Sequence, residues 1–153
     1  SQDFHFEMDL SDLEFGGEKP ASDPVVVDGR VKNKAGMLLL ELQTSTTLRC
    51  RCSRCLESFD LPKTTDYSCV LAEEKQCEDS DDIVLLDHDE VDLEDLARTA
   101  FILDIDTVVL CSPHCKGLCP GCGVNLNLEK CRCKKQVDPS LAALAKLLPQ
   151  EDA

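Results

Sequence analysis

The residues with the greatest chemical potential lie between Cys111 and Cys133, where CSPHCKGLCPGCGVNLNLEKCRC carries six of the chain's eleven cysteines. Thiolates bind zinc tetrahedrally. The turn from Cys119 to Gly123 has two glycines free to take positive φ, and it lets the sulfurs of Cys119 and Cys122 face one ion. A second pair must close the tetrahedron. Cys111 and Cys115 lie just upstream, Cys131 and Cys133 just downstream, and His114 is a weaker ligand inside the same loop. Spacing alone does not choose among them. The compact C-x3-C-x3-C-x2-C run favours Cys111, Cys115, Cys119 and Cys122, with Cys131 and Cys133 as alternates.

Catalytic zinc keeps one coordination position open and recruits histidine or carboxylate with a general base nearby, whereas this loop offers sulfur in surplus. The expected cofactor is therefore a structural Zn2+, folding a segment too short and polar to build its own core. Lys116, Lys130 and Arg132 lie close enough in sequence to offset the negative charge of a four-thiolate site. A secreted disulfide cluster is the competing reading. The odd cysteine total and the lack of a charged-then-apolar leader count against it. An iron–sulfur cluster or a redox dithiol is weaker still.

A second constellation, RCRCSRC from Arg49 to Cys55, places Cys52 and Cys55 as a C-x2-C pair at the end of an alternating segment. The pair reads as half of a metal site, as a redox pair, or as two buried small residues. If the loop ion takes Cys111 to Cys122, then Cys131 and Cys133 are free to meet Cys52 and Cys55 in a second site. Arg49, Arg51 and Arg54, together with Lys134 and Lys135, are candidate contacts to RNA or a partner. The plainer alternative for the arginines is pairing with acidic loops of the same chain. Cys69 and Cys77 read as bystanders. The acidic run from Asp87 to Asp92 lacks the glycine and closing glutamate of a helix-loop-helix calcium site. No phosphate loop, nucleophile elbow or histidine pair appears, so the reading is that the chain is not an enzyme and has no small-molecule substrate.

The elements that must position these cysteines read as mainly antiparallel β. Phe4, Phe6, Met8 and Leu10 alternate with polar residues, Val25 to Val31 forms a second strand, and Lys32 to Gly36 makes a turn. From Leu38 the alternation runs through Leu40, Leu42, Thr44, Thr46, Leu48 and Cys50 to Cys52, long enough to predict a bend or bulge. Tyr67, Cys69 and Leu71 mark a short strand, Ile83 to Leu86 another, and Ile105 to Leu110 a final one. Asp92 caps a helix at about 92–102 with Leu93, Leu96, Ala97, Ala100 and Phe101 on its apolar stripe. Asp138 and Pro139 open a C-terminal helix carrying Leu141, Leu144, Ala145 and Leu148. The fold class is α+β. The expected organisation is a β-rich domain over 1–110, with the zinc-binding loop and C-terminal helix over 111–153.

Thirty acidic against sixteen basic residues give a formal charge of −14 over 153 residues. That field repels phosphate and disfavours broad nucleic-acid binding, but it suits a basic protein partner. Apolar runs are only a few residues long, so no membrane span is expected and a soluble intracellular protein is.

The segment CKGLCPGCGVNLN with CRC at its end, followed by VDPSLAALAKLL, resembles the C-terminal signature of the YceD family. Upstream, CSRCLESF from Cys52 to Phe59 is similar to that family's internal element. Ser140 departs from the arginine that relatives often carry after the Asp-Pro. The resemblance implies a ribosome-biogenesis factor tied to accumulation of large-subunit ribosomal RNA. Its partner would be a ribosomal protein or large-subunit precursor rRNA. It would be cytoplasmic in a bacterium, or in the chloroplast stroma for a plant relative. The alternatives are a redox- or zinc-responsive regulator and, less well supported, an RNA-processing enzyme using Asp87 to Asp95.

Overall fold

The computed structural model describes residues 1–72 and 82–133, together with Leu144 and Leu147. Cys77, Lys134, Lys135, Ser140 and the apolar stripe of the expected C-terminal helix, apart from Leu144, lie outside the described residues. Five strands form one sheet in the order of the chain: β1 (Gln2–Met8), β2 (Val25–Lys34), β3 (Met37–Arg51), β4 (Ser58–Ala72) and β5 (Ile83–Leu85). The first four pair antiparallel, and β5 adds to β4 in parallel. Among the described residues one helix, α1 (Leu93–Leu103), lies against the sheet. The architecture is α+β.

The period-two alternation decides which face is which. One face carries Met8, Val25, Val27, Leu40, Leu42, Leu48, Cys69 and Leu71, all buried, and α1 closes over it with Ala97 and Phe101. The other face carries charge. Arg30 bonds to Asp3, His5 to Asp28 at 2.6 Å, Lys32 to Glu41 at 2.5 Å, and Gln43 to Asp66 at 2.6 Å. Three of these are cross-strand rungs between register partners, and Lys32–Glu41 is a diagonal contact, since Lys32 stands opposite Leu39 and Glu41 opposite Arg30. At Gly29 a Cβ would stand 2.1 Å from the Phe4 ring, so the absent side chain makes room for the aromatic of its register partner.

Three expectations need correction. β4 is not a short strand around Tyr67 but a fifteen-residue strand matching β3. Its polar first half, Ser58 to Asp66, has little apolar content to announce it, and cross-strand pairing supplies what propensity does not. The β3–β4 register runs unbroken from Leu38↔Leu71 to Arg51↔Ser58, so no bulge interrupts it. Ile105 to Leu110 forms no strand. Instead the segment is pinned at one residue, where Ser53 N donates to the Val109 carbonyl (2.8 Å) and Val109 N donates to Ser53 Oγ (3.2 Å).

The helix begins where its cap directs. Asp92 accepts from the backbone N–H groups of Glu94 and Asp95, both at 3.0 Å. At the other end Asp104 takes the C-cap position and receives Lys63 Nζ (2.8 Å) and Thr65 Oγ1 (2.8 Å) from β4. Helix and sheet are thereby locked at the edge from which the chain leaves for the cysteine loop.

Candidate metal centre

The β3–β4 hairpin delivers the first two sulfurs. Cys52 N donates to the Glu57 carbonyl (2.9 Å) and Leu56 N to the Cys52 carbonyl (3.0 Å), while Leu56 takes φ 62° to close the tip. Both Cys52 and Cys55 are buried there. The Ser53–Val109 bonds set the chain beside this tip, Leu110 and Phe59 pack against it, and Cys111 and Cys115 follow. The four sulfurs converge, with Cys52 to Cys115 at 3.7 Å, Cys55 to Cys111 at 3.5 Å and all four within 4.8 Å. This is the inner set.

A second set forms wholly within the loop. The knuckle from Cys119 to Val124 is closed by Gly123 N to the Cys119 carbonyl and Cys119 N to the Val124 carbonyl, both 2.9 Å. Gly123 takes φ 74°, a left-handed conformation that suits glycine. Gly121 does not take positive φ. Its small size matters for another reason: a Cβ there would lie 2.5 Å from Cys133 Sγ. Cys119 reaches Cys131 at 3.3 Å and Cys133 at 3.6 Å, and Cys122 reaches Cys131 at 4.0 Å. Only Cys119 of this outer set is buried.

The structure therefore divides the run expected to hold one ion. Cys111 and Cys115 turn back to Cys52 and Cys55, while Cys119 and Cys122 join Cys131 and Cys133. Nor does it bring Cys131 and Cys133 to Cys52 and Cys55. Gly117, at φ 77°, lies in the chain between the two sets and packs on Arg54. His114 belongs to neither set.

Four zinc–sulfur bonds of about 2.3 Å in a tetrahedron put sulfurs about 3.8 Å apart, so the observed spacings suit such an ion in both sets. The acid–base chemistry of the thiols agrees. Burial pushes the Cys52 thiol up, but the backbone N–H groups of Cys55, Cys111 and Arg54 together bring it down to about 6. Hydrogen bonding to Cys55, with burial, pushes Cys111 up to about 12. In the outer set the backbone at Val124 and Arg132 lowers Cys122 to about 6, while Cys122 and Cys119 push Cys133 up to about 12. Crowded thiols cannot all ionise beside one another, and a dication is what relieves that repulsion.

One neighbour of the sulfurs carried no signal in the spacing. Asn127 Nδ2 donates to Cys115 Sγ at 3.3 Å, its Oδ1 accepts from Lys116 N at 2.8 Å, and its donation is the leading cause that lowers the Cys115 thiol. The arginines of the hairpin end separate in role. Arg51 pairs with Glu18 at 3.0 Å, and Arg54 Nη1 donates to the Cys115 carbonyl at 3.0 Å. Arg49 is exposed and makes no ion pair among the described residues.

The comparisons with known proteins cover this region. Residues 40–148 match the family model described as large ribosomal RNA subunit accumulation protein YceD, a span that takes in all eight cysteines of the two sets. The chain belongs to the YceD family. Among YceD relatives, the Bacillus subtilis protein YlbN is 30% identical over 158 residues, covering 99% of this chain and 91% of that protein. Two chloroplastic YCED homologs, named for large ribosomal RNA subunit accumulation, are 26% (Zea mays) and 27% (Arabidopsis thaliana) identical over 86% of this chain. The chain spans 56% and 50% of those two plant proteins. No solved structure matches significantly. No helix among the described residues is long and apolar enough to cross a membrane.

Proposed function

We propose that this YceD-family protein is a non-enzymatic ribosome-biogenesis factor that promotes accumulation of large-subunit ribosomal RNA. It would engage a ribosomal protein or the precursor RNA, and each cysteine set would hold a structural zinc ion. The observation that carries this reading is the family match running through both sets to residue 148. Charge supports a division of labour. The chain's −14 suits a basic ribosomal protein. From Thr107 to Cys133, by contrast, Glu129 is the only carboxylate against Lys116, Lys130 and Arg132. Two four-thiolate zinc sites would add about −4, which those three cations partly offset, so any RNA phosphate would be met by Arg49 and Arg54 of the hairpin end and by Lys134 and Lys135, which follow in sequence.

The inner ligands are Cys52, Cys55, Cys111 and Cys115, and the outer are Cys119, Cys122, Cys131 and Cys133. When bound, the ions supply charge neutralisation and cross-linking of chain segments, the role of closed sulfur sites. The test is the sedimentation profile and large-subunit rRNA content of cells lacking the protein, complemented by wild type or by a copy carrying Cys122→Ser and Cys131→Ser. Loss of large subunits rescued by wild type is expected, with the double variant reporting whether the outer ion is needed. A normal profile without the protein would overturn the assembly role.

A further inference from the structure

The two sets differ in ways that bear on metal exchange. Zinc leaves a thiolate site when an incoming ligand reaches the sulfurs, and in the inner set Cys52, Cys55 and Cys115 are at most 3% exposed, with Cys111 alone open to solvent. Cys122, Cys131 and Cys133 are exposed. The inner sulfurs also hang on a frame independent of any ion, namely the hairpin tip and the paired Ser53–Val109 bonds. The outer sulfurs all come from residues 119–133, and the return from Gly123 to Cys131 has its backbone tied back only near its start, by the Leu118–Asn125 bridge and by Leu126 N to the Gly117 carbonyl (2.9 Å), with no strand or helix to hold the part beyond.

Asn127 sits midway along that return, between Cys122 and Cys131, in the stretch that an outer ion closes. Its side chain leaves that loop and reaches the inner set at Cys115 Sγ and Lys116 N. A donor to a metal-bound thiolate steadies its charge and orientation, which makes Asn127 a positioning residue for the inner ion.

On the two-zinc reading above, we propose that the outer set is the exchangeable metal site of the pair and that Asn127 relays its occupancy to the inner set. Loss of the outer ion frees the return beyond the Leu118–Asn125 bridge, from Asn127 to Cys131, withdraws the amide from Cys115 and weakens the inner ion's hold. Linkage makes the coupling reciprocal, so an inner ion that fixes Cys115 also favours the outer one.

The experiment uses the full chain carrying zinc, mixed with excess of the chromophoric chelator 4-(2-pyridylazo)resorcinol, with released zinc followed over time. Two phases of one equivalent each are expected. Alkylation with N-ethylmaleimide after the first phase, read by mass spectrometry, should mark the four outer cysteines and spare the four inner ones. Asn127→Ala removes a side chain that lies outside the hydrophobic core, so the sheet and α1 should survive, as circular dichroism would check. The variant should leave the slow phase within about twofold, because the amide has already left Cys115 by the time the inner ion is released, and speed the fast phase by about tenfold, the reciprocal face of the coupling and the lower end of what loss of such a donor costs in metal affinity. Release of both ions in one phase, or first labelling of the inner cysteines, would overturn the exchange assignment. An unchanged fast phase in Asn127→Ala would overturn the relay. A count below two zinc equivalents by native mass spectrometry would instead remove the two-zinc reading, and this inference with it.

Discussion

At the scale of single residues, the outer knuckle is governed by two glycines with different duties. Gly123 supplies a left-handed backbone with nothing within 4 Å of a would-be Cβ, whereas Gly121 supplies space against Cys133 Sγ. Alanine should therefore act differently at each. Gly123→Ala should cost about 1 kcal/mol of backbone strain and leave the sulfurs in place. Gly121→Ala should push Cys133 off the outer set and weaken zinc there by about tenfold or more, a loss of at least about 1.4 kcal/mol. Competition titration of zinc against a chelator checks both, and equal effects at the two positions would contradict the steric assignment. In the sequence both glycines read as conformational freedom, and only the packing of Cys133 over the knuckle separates them.

Among the elements, the helix is the one whose attachment can be measured most directly. Phe101 is fully buried beneath α1, so Phe101→Ala should cost about 3–5 kcal/mol in urea unfolding. Removing the cap with Asp92→Ala should cost about 1 kcal/mol. Asp104→Asn tests the lock between α1 and β4. Hydrogen bonding to Lys63, then to Thr65, holds the Asp104 carboxyl below its ordinary 3.8. A carboxylate depressed in the folded state contributes stability that is present above the ordinary value and is lost as pH falls through the folded one. Asp104 is half exposed, so about 1 kcal/mol is expected at pH 7. The gap between wild type and Asp104→Asn should close as pH drops below the usual carboxylate range. A gap that persists there would assign the effect to packing instead.

For the whole molecule, sheet and cysteine loop are built on separate foundations. None of the eight clustered cysteines belongs to the main core, whose members run from Met8 to Phe101. On the proposed two-zinc reading, a chelator should thus leave the far-UV β signature, the Phe101 packing and the Ser53–Val109 bonds intact while opening the region from about Cys111 to Cys133. Limited proteolysis with mass spectrometry checks this, with first cuts expected inside that region only under chelation. Cooperative loss of the whole fold would show instead that the ions hold the sheet together. The family match begins at residue 40, inside β3, and so leaves β1 and β2 outside the matched span.

What the sequence determined by itself was local and periodic. The alternation in β1, β2 and β3 set the buried face, since side-chain direction in a strand follows from the chain alone. The cap at Asp92 and the stripe ending in Phe101 placed the helix, and cysteine density marked a metal-binding region before any contact was known. The tertiary structure decided how the cysteines divide. Spacing favoured Cys111, Cys115, Cys119 and Cys122 as one local wrap. A hairpin tip fifty-six residues earlier instead brings Cys55 within reach of Cys111. Strand pairing created that proximity: β4 must match β3 along its full length to set the tip, and the polar half of β4 hides that pairing from any reading of hydrophobic pattern. Sulfur–sulfur distance is a property of the folded sheet, so no count of residues between cysteines could have supplied it.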